Sequence, residues 1–271
     1  MMTQPERAPR RVPFPIKFRT LEVLRVATVT PHMVRITLGG KELEGFQTPA
    51  ADDHVRLIFP APGESKPLLP TMGPHGPVFP EGKPRPASRD YTPRRYDAAA
   101  GELDIDFVVH GSGPGTTWAT HAKPGDFVGV GGPRSSMIVP SDFDWYLLAG
   151  DSTALPAIGR WLEELPPSAH AIVFIEVSDA SEEQRFNTRA RVELTWLHRH
   201  GAAPGSTNQL EKAIRALQFP PGDYFVWLAG EANSLRPLRE HIYNERGTHK
   251  KWVSATGYWK RDTADHHEPH D

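Results

Sequence analysis

Two rhythms divide this chain. In the first half, apolar residues return at every second position in short runs. Leu21, Val23, Val26 and Val29 mark an extended segment, and Val34, Ile36 and Leu38 alternate up to Gly39-Gly40. Val55, Leu57 and Phe59 repeat the alternation, Leu103, Ile105, Phe107 and Val109 share one face, and residues 126–130 follow the turn Pro124-Gly125. A period of two is the mark of a half-buried strand. Several short strands separated by turn residues predict a closed antiparallel β-barrel. Nine prolines from Pro60 to Pro86 exclude a central strand or helix there, so a long surface loop is expected, in a position to act as a lid.

The second half is built differently. Residues 145–149 form a short apolar run, followed by Gly150-Asp151-Ser152-Thr153 and a helical stretch to residue 165. A nearly continuous apolar strand is expected at 171–177 and further strands at 191–197, 224–229 and 252–258, with helices at 207–217 and 231–246. Strands alternating with helices predict a parallel sheet covered by helices, an α/β domain. The expected organisation is a flexible arm over 1–15, an antiparallel β-barrel over 16–140, a parallel-sheet α/β domain over 145–261 and a flexible tail over 262–271. The linker falls near 140–144, and no internal repeat is evident.

Composition narrows the function classes. At 271 residues the chain suits two modest domains. The formal charge of −2 gives no electrostatic argument for nucleic acid or a membrane surface. Cysteine is absent, which removes disulfides, thiolate catalysis and cysteine-held iron–sulfur clusters, and suits a reducing cytoplasm. No apolar run approaches the ~20 residues of a membrane helix, and the start of the chain lacks the apolar core of a signal peptide. His266, His267 and His270 near the end read as a frayed polar tail, and no metal site is expected.

The chemistry concentrates in a few short stretches. Arg89-Asp90-Tyr91-Thr92-Pro93-Arg94 sets a cation, a ring and a hydroxyl in one extended segment, broken by Pro93. Arg suits a phosphate, Tyr a flat ring system and Thr a ring nitrogen, a set that fits a flavin dinucleotide. The same residues also describe an edge strand with surface Arg and Tyr. Gly111-Ser112-Gly113-Pro114-Gly115-Thr116-Thr117 follows a strand ending at His110 and opens a helix, which reads as a pyrophosphate cradle or as a glycine-rich turn. Gly150-Asp151-Ser152-Thr153 and Ala229-Gly230-Glu231 both lie where parallel strands end, the place ligands occupy in open α/β sheets, and both also read as helix caps. Arg56, Arg134 and Lys260-Arg261 are scattered cations whose convergence the sequence does not establish.

In their joint order these stretches, with Thr30–Thr37, Asp52–Leu57, Asp106–Gly111, Trp196–Arg199 and Gly257-Tyr258-Trp259, resemble the siderophore-interacting protein family of flavin-dependent ferric-siderophore reductases, within the ferredoxin reductase-like superfamily. The resemblance runs from about Phe18 to Arg261. It implies an FAD-binding barrel followed by a nicotinamide-binding α/β domain, acting in the cytoplasm on an imported ferric siderophore. Carried over by position, it implies that Arg89 pairs with flavin phosphate, Tyr91 stacks on the isoalloxazine and Thr92 meets its reactive nitrogen. Gly115, Thr116 and Thr117 meet the pyrophosphate, and Arg94, His110, Asp151 and Thr153 complete the cofactor contacts. The family usually has an acid after Asp151, where this chain has Ser152. Glu231 and Arg199 are implied for the nicotinamide nucleotide, and Arg56, Arg134 and Lys260 for the anionic iron chelate. The implied reaction passes a hydride from the nicotinamide to FAD and then single electrons to Fe(III), so no side chain need act as acid or base. Asp179 would favour NADH, while Arg185 and Arg199 would favour NADPH; the balance tips toward NADPH. Two rival expectations stand beside this one: a reductase for a separate protein acceptor such as a ferredoxin, and a flavin-bound siderophore carrier without turnover.

Overall fold

The computed structural model describes residues 7–109, 111 and 113–263. The chain divides into two compact units. Residues 11–137 form one; among the described residues the other comprises 138–263 together with 7–10.

The first unit carries strands β1 (Arg10–Pro13), β2 (Phe18–Thr30), β3 (Met33–Gly39), β4 (Val55–Ile58), β5 (Thr71–Gly73), β6 (Gly76–Val78), β7 (Ser88–Tyr91), β8 (Pro93–Asp97) and β9 (Glu102–Val108). Helix α1 (Pro114–His121) and strands β10 (Phe127–Gly131) and β11 (Ser135–Ile138) complete it. Seven strands make one antiparallel sheet in the order β7-β4-β10-β2-β3-β9-β8. Its two outer strands, β7 and β8, are joined by Thr92 alone, and one residue spans only ~3.5 Å. The sheet must therefore curl until its edges meet. The expected barrel is present in curvature, but among the described residues no ladder closes the seam. Pro93, which opens β8, has no N–H to donate. The alternating residues fill the interior as expected: Leu21, Val23, Ile36, Leu38, Val55, Leu57, Leu103, Ile105 and Phe107 form one core. A bulge between Val23 and Arg25 interrupts the alternation of β2, and Leu24 within it and Val26 beyond it are exposed.

Two segments expected to be irregular are not. The N-terminal arm is tied down from Arg10, because β1 pairs with β11. The proline-rich stretch holds the hairpin β5–β6, and it is docked on the barrel: Leu69 lies over Gly129, and the Lys66 ammonium sits 4.7 Å from the Phe127 ring centroid.

The second unit carries β12 (Trp145–Asp151), α2 (Leu155–Glu164), β13 (His170–Val177), β14 (Arg191–His198), α3 (Gln209–Ala216), β15 (Tyr224–Glu231), α4 (Ala232–Glu240) and β16 (Val253–Trp259). Its five strands are all parallel, in the order β14-β13-β12-β15-β16. Trp145, Leu147 and Ala149 face α3 and α4, while Tyr146 and Phe225 meet Trp161 of α2 on the other side. Burial on both faces explains why β12 reads as an unbroken apolar run. The long helix expected over 231–246 stops at Glu240 and widens into a π turn over His241–Glu245, with Pro237 inside α4. The strand order reverses direction between β12 and β15, so the carboxyl ends of these two strands form the switch point where α/β sheets bind ligands.

Candidate functional site

In the barrel, β7 pairs with β4 so that Tyr91 lies opposite Val55, Asp90 opposite Arg56 and Arg89 opposite Leu57. Arg89 and Tyr91, two residues apart, project to one side and are half-buried. The Arg89 guanidinium donates to the Ser88 carbonyl at 2.7 Å. The Tyr91 ring packs against Phe107, centroids 4.4 Å apart. Burial pushes the phenol above its ordinary pKa, with the Arg89 cation opposing, so Tyr91 stays neutral across the physiological range. Thr92 is buried at the seam.

Helix α1 completes the arrangement. Trp118 anchors it, with ring centroids 5.6 Å from Phe59 and 5.7 Å from Phe107. Its N-cap is Gly113, which offers no side-chain cap, and Pro114 starts the helix. The Tyr91 hydroxyl rests on the backbone of Gly115: a Cβ there would lie closer than 3.0 Å to it. Arg89, Tyr91, Gly115 and the first turn with Thr116 and Thr117 thus belong to one surface. It presents a guanidinium, a ring and an uncapped helix start, the donor set that FAD requires, and these residues fit the cofactor.

The other expected barrel residues have partners of their own or lie exposed. Arg94 is buried on β8 with its guanidinium 3.9 Å from Asp106, which also holds Arg35 in a two-pronged pair at 2.7 and 2.8 Å. Arg56 bonds Asp90 at 2.8 Å and Ser88 at 3.1 Å. Arg134 is exposed. His110 lies outside the described residues.

In the α/β unit, Asp151 ends β12 and accepts four hydrogen bonds: from Thr153 N at 2.8 Å, Thr153 Oγ1 at 2.5 Å, Glu231 N at 3.0 Å and Trp259 Nε1 at 2.8 Å. Glu231, at the end of β15, accepts from Ser234 N at 2.7 Å, and from Arg261 N at 3.1 Å. These backbone bonds hold its carboxyl below the usual range against the opposing effect of burial. The switch point between them opens into a cleft of about 220 Å³, lined by Asp151, Glu176, Thr207, Gly230, Glu231 and Asn233 among others. Arg199 follows β14, where its Nε donates to the Ala202 carbonyl at 3.3 Å. Lys260 is half-buried and pairs by its backbone with Thr263.

Glu176 escaped the sequence reading. It is a lone acid near the end of an apolar strand, which was the available signal. Burial raises its pKa, helped by the Asp151 charge and opposed by the Thr207 hydroxyl and Arg199. A carboxyl raised in the folded state stabilises fully below its unfolded pKa of ~4.3, and that contribution is lost as the pH rises through the folded value. Glu176→Gln cannot ionise and keeps an acceptor for Thr207. It is expected to melt higher than the parent at neutral pH, the difference shrinking as the pH falls toward ~4.3. Melting curves across that range check this; a difference independent of pH counts against it.

Comparison with known proteins bears on both units. Residues 22–137 match the family described as siderophore-interacting FAD-binding domain, and residues 143–262 the family described as siderophore-interacting protein. The NADPH-dependent ferric-chelate reductase of Escherichia coli is 36% identical over 261 residues, covering 95% of this chain and 99% of that protein. The ferric vibriobactin reductase ViuB of Vibrio cholerae is 35% identical over 259 residues, covering 93% and 94%. The crystal structure of a siderophore utilization protein from T. fusca superposes with a TM-score of 0.89 at 43% identity, covering 97% and 99%.

Proposed function

The chain belongs to the siderophore-interacting protein family, and from that premise we propose that it is an FAD-dependent NAD(P)H:ferric-siderophore reductase, which reduces Fe(III) to Fe(II) and so releases iron from the chelate. The observation that carries the reading is the seat formed by Tyr91 on Gly115 at the uncapped start of α1, inside the segment that matches an FAD-binding domain. When bound there, FAD supplies the conversion of a two-electron hydride into single electrons.

The side chains have the work of holding and admitting. Arg89 neutralises a phosphate, and the first turn of α1 receives the diphosphate. Tyr91, fixed against Phe107 and kept neutral, offers a flat apolar face. Siderophore oxygens prefer Fe(III) to Fe(II), so reduction alone loosens the metal and no protein ligand to iron is needed. Arg134 and Lys260 draw in the anionic chelate; Arg56 does so with its charge partly offset by Asp90. Among the described residues no helix is long and apolar enough to cross a membrane. We place the reaction in the cytoplasm, which a cysteine-free chain suits. A ferredoxin remains an alternative partner on the electron path.

The test is anaerobic mixing with NADPH, a ferric siderophore and a coloured Fe(II) trap. Trapped iron is expected to accumulate, at a rate falling at least roughly threefold from low salt to ~0.3 M as the cationic attraction is screened. Arg134→Ala combined with Lys260→Ala is expected to raise the KM for the chelate roughly tenfold and to flatten that salt dependence. A colourless protein that takes up no FAD would end the reading. A yellow one that traps no iron would leave a carrier without turnover.

A further inference from the structure

We propose that Asp151 is a positioning residue, whose carboxylate fixes the Glu231 turn, a wall of the cleft that receives the nicotinamide nucleotide, together with the Trp259 indole beside that wall. The proposal rests on the reductase reading and goes beyond it, because it removes Asp151 from the cofactor contacts.

A carboxylate offers about four acceptor positions. All four are filled by this protein: Oδ1 by the amide and hydroxyl of Thr153, Oδ2 by the Glu231 amide and the Trp259 indole. Nothing remains for a ligand. The donors come from the turn after β12 and from the ends of β15 and β16, so this one side chain ties together three adjacent strand ends across the switch point.

The backbone is shaped around the tie. The pairing of β15 with β16 shifts at Gly230/Glu231, so that Gly257 faces Gly230 but Trp259 faces Glu231. Such a bulge re-aims the side chain that follows it, here toward Asp151. Gly230 has φ +146°, and a Cβ on it would lie 2.7 Å from Asp151 Oδ2. The Trp259 ring is also held from the far side, where a Cβ on Gly205 would come 3.1 Å from its Cη2 and 2.7 Å from Glu231 Cγ. Asp151 is buried, and its charge is met by N–H and O–H donors with no ion pair among the described residues. Asparagine would keep one acceptor oxygen and turn an amide N–H2 onto two donors, breaking one of the two pairs.

The experiment compares Asp151→Asn, Trp259→Phe and the double variant. The near-UV circular dichroism band lost in Trp259→Phe should also be lost in Asp151→Asn. Calorimetry with NADP+ and NAD+ should show affinity weakened roughly tenfold in Asp151→Asn, less in Trp259→Phe, and no further in the double variant. Flavin content should match the parent, and so should the rate at which dithionite-reduced protein is re-oxidised by the ferric chelate. Loss of flavin or slower re-oxidation in Asp151→Asn would overturn the proposal, since Asp151 would then touch flavin or chelate. If Asp151→Asn fails to fold, unchanged nucleotide affinity in Trp259→Phe overturns it. A parent protein that binds neither nucleotide fails the donor reading and takes this proposal with it. A parent that binds, with both variants unaffected, fails this proposal alone.

Discussion

Gly115→Ala is expected to yield a folded protein that has lost its flavin. The added Cβ would lie closer than 3.0 Å to the Tyr91 hydroxyl and 3.1 Å from the ring carbon Cζ. Either α1 or the ring must move. The helix is anchored by Trp118 against Phe59 and Phe107, and by the buried Ala119. The ring is backed by Phe107. Whichever yields, the ring platform and the helix start no longer address the same ligand. Alanine is otherwise the better helix residue by roughly 0.5–1 kcal/mol, so the helix itself does not suffer. Misplacing the contacts to a charged phosphate is worth ~2–3 kcal/mol, a loss of roughly 30–150-fold in FAD affinity. Tyr91→Phe added to Gly115→Ala removes the clashing oxygen and should restore part of the binding. Flavin absorbance per chain, measured after titration with FAD, reads both. A Gly115→Ala protein as yellow as the parent, or a double variant weaker than the single one, would count against this seat.

That seat was half legible in the sequence. The cation, ring and hydroxyl at Arg89–Thr92 announce their chemistry locally, because a strand fixes which side chains share a face. The glycine-rich stretch announces a close approach, but not to what: Gly115 is required by Tyr91, which reaches it only through the curl of the sheet. Arg94 looks like Arg89 in sequence, and its approach to Asp106, a partner on a different strand, is not written locally. Asp151 announces itself in sequence as a strand-end residue, but not the four donors that it gathers. Trp259 and Glu231 come from far along the chain, and no spacing rule connects them.

The fold was legible where periodicity is strong. Alternation found the barrel strands and continuous apolar runs found the inner parallel ones, since one-sided and two-sided burial leave different patterns. What escaped depends on pairing between distant segments. β1 exists only because β11 lies beside it, and in the proline-rich stretch 60–86 β5 and β6 pair only with each other. The barrel seam lies where β7 passes into β8 through Thr92 alone, a link too short for a hairpin, which shows only once both are known to be outer strands.

Gly150→Ala is expected to be the most destabilising single methyl in the α/β unit. Its Cβ would lie closer than 3.0 Å to both the Ala229 carbonyl oxygen and Ala154 Cβ. Ala229 is the β15 residue paired with Gly150, so its carbonyl cannot withdraw without disturbing the ladder. Ala154 is fully buried in the turn that leads into α2. With neither neighbour able to yield, the cost is about 3–5 kcal/mol, a large part of the 5–15 kcal/mol that a domain commonly has. Gly39→Ala is the control. Its Cβ would come equally close to Leu24 Cδ1, but Leu24 is an exposed, flexible side chain that can swing aside, so the cost should stay below ~1 kcal/mol. The two units have separate cores. Calorimetry of Gly150→Ala should therefore show a transition moved down by roughly 10–25 °C, while flavin in the barrel is released only at the parent's temperature. Equal melting of Gly150→Ala and Gly39→Ala would mean that the β12–β15 ladder absorbs a methyl as easily as an exposed leucine does, and that the turn carrying Asp151 is looser than its four hydrogen bonds imply.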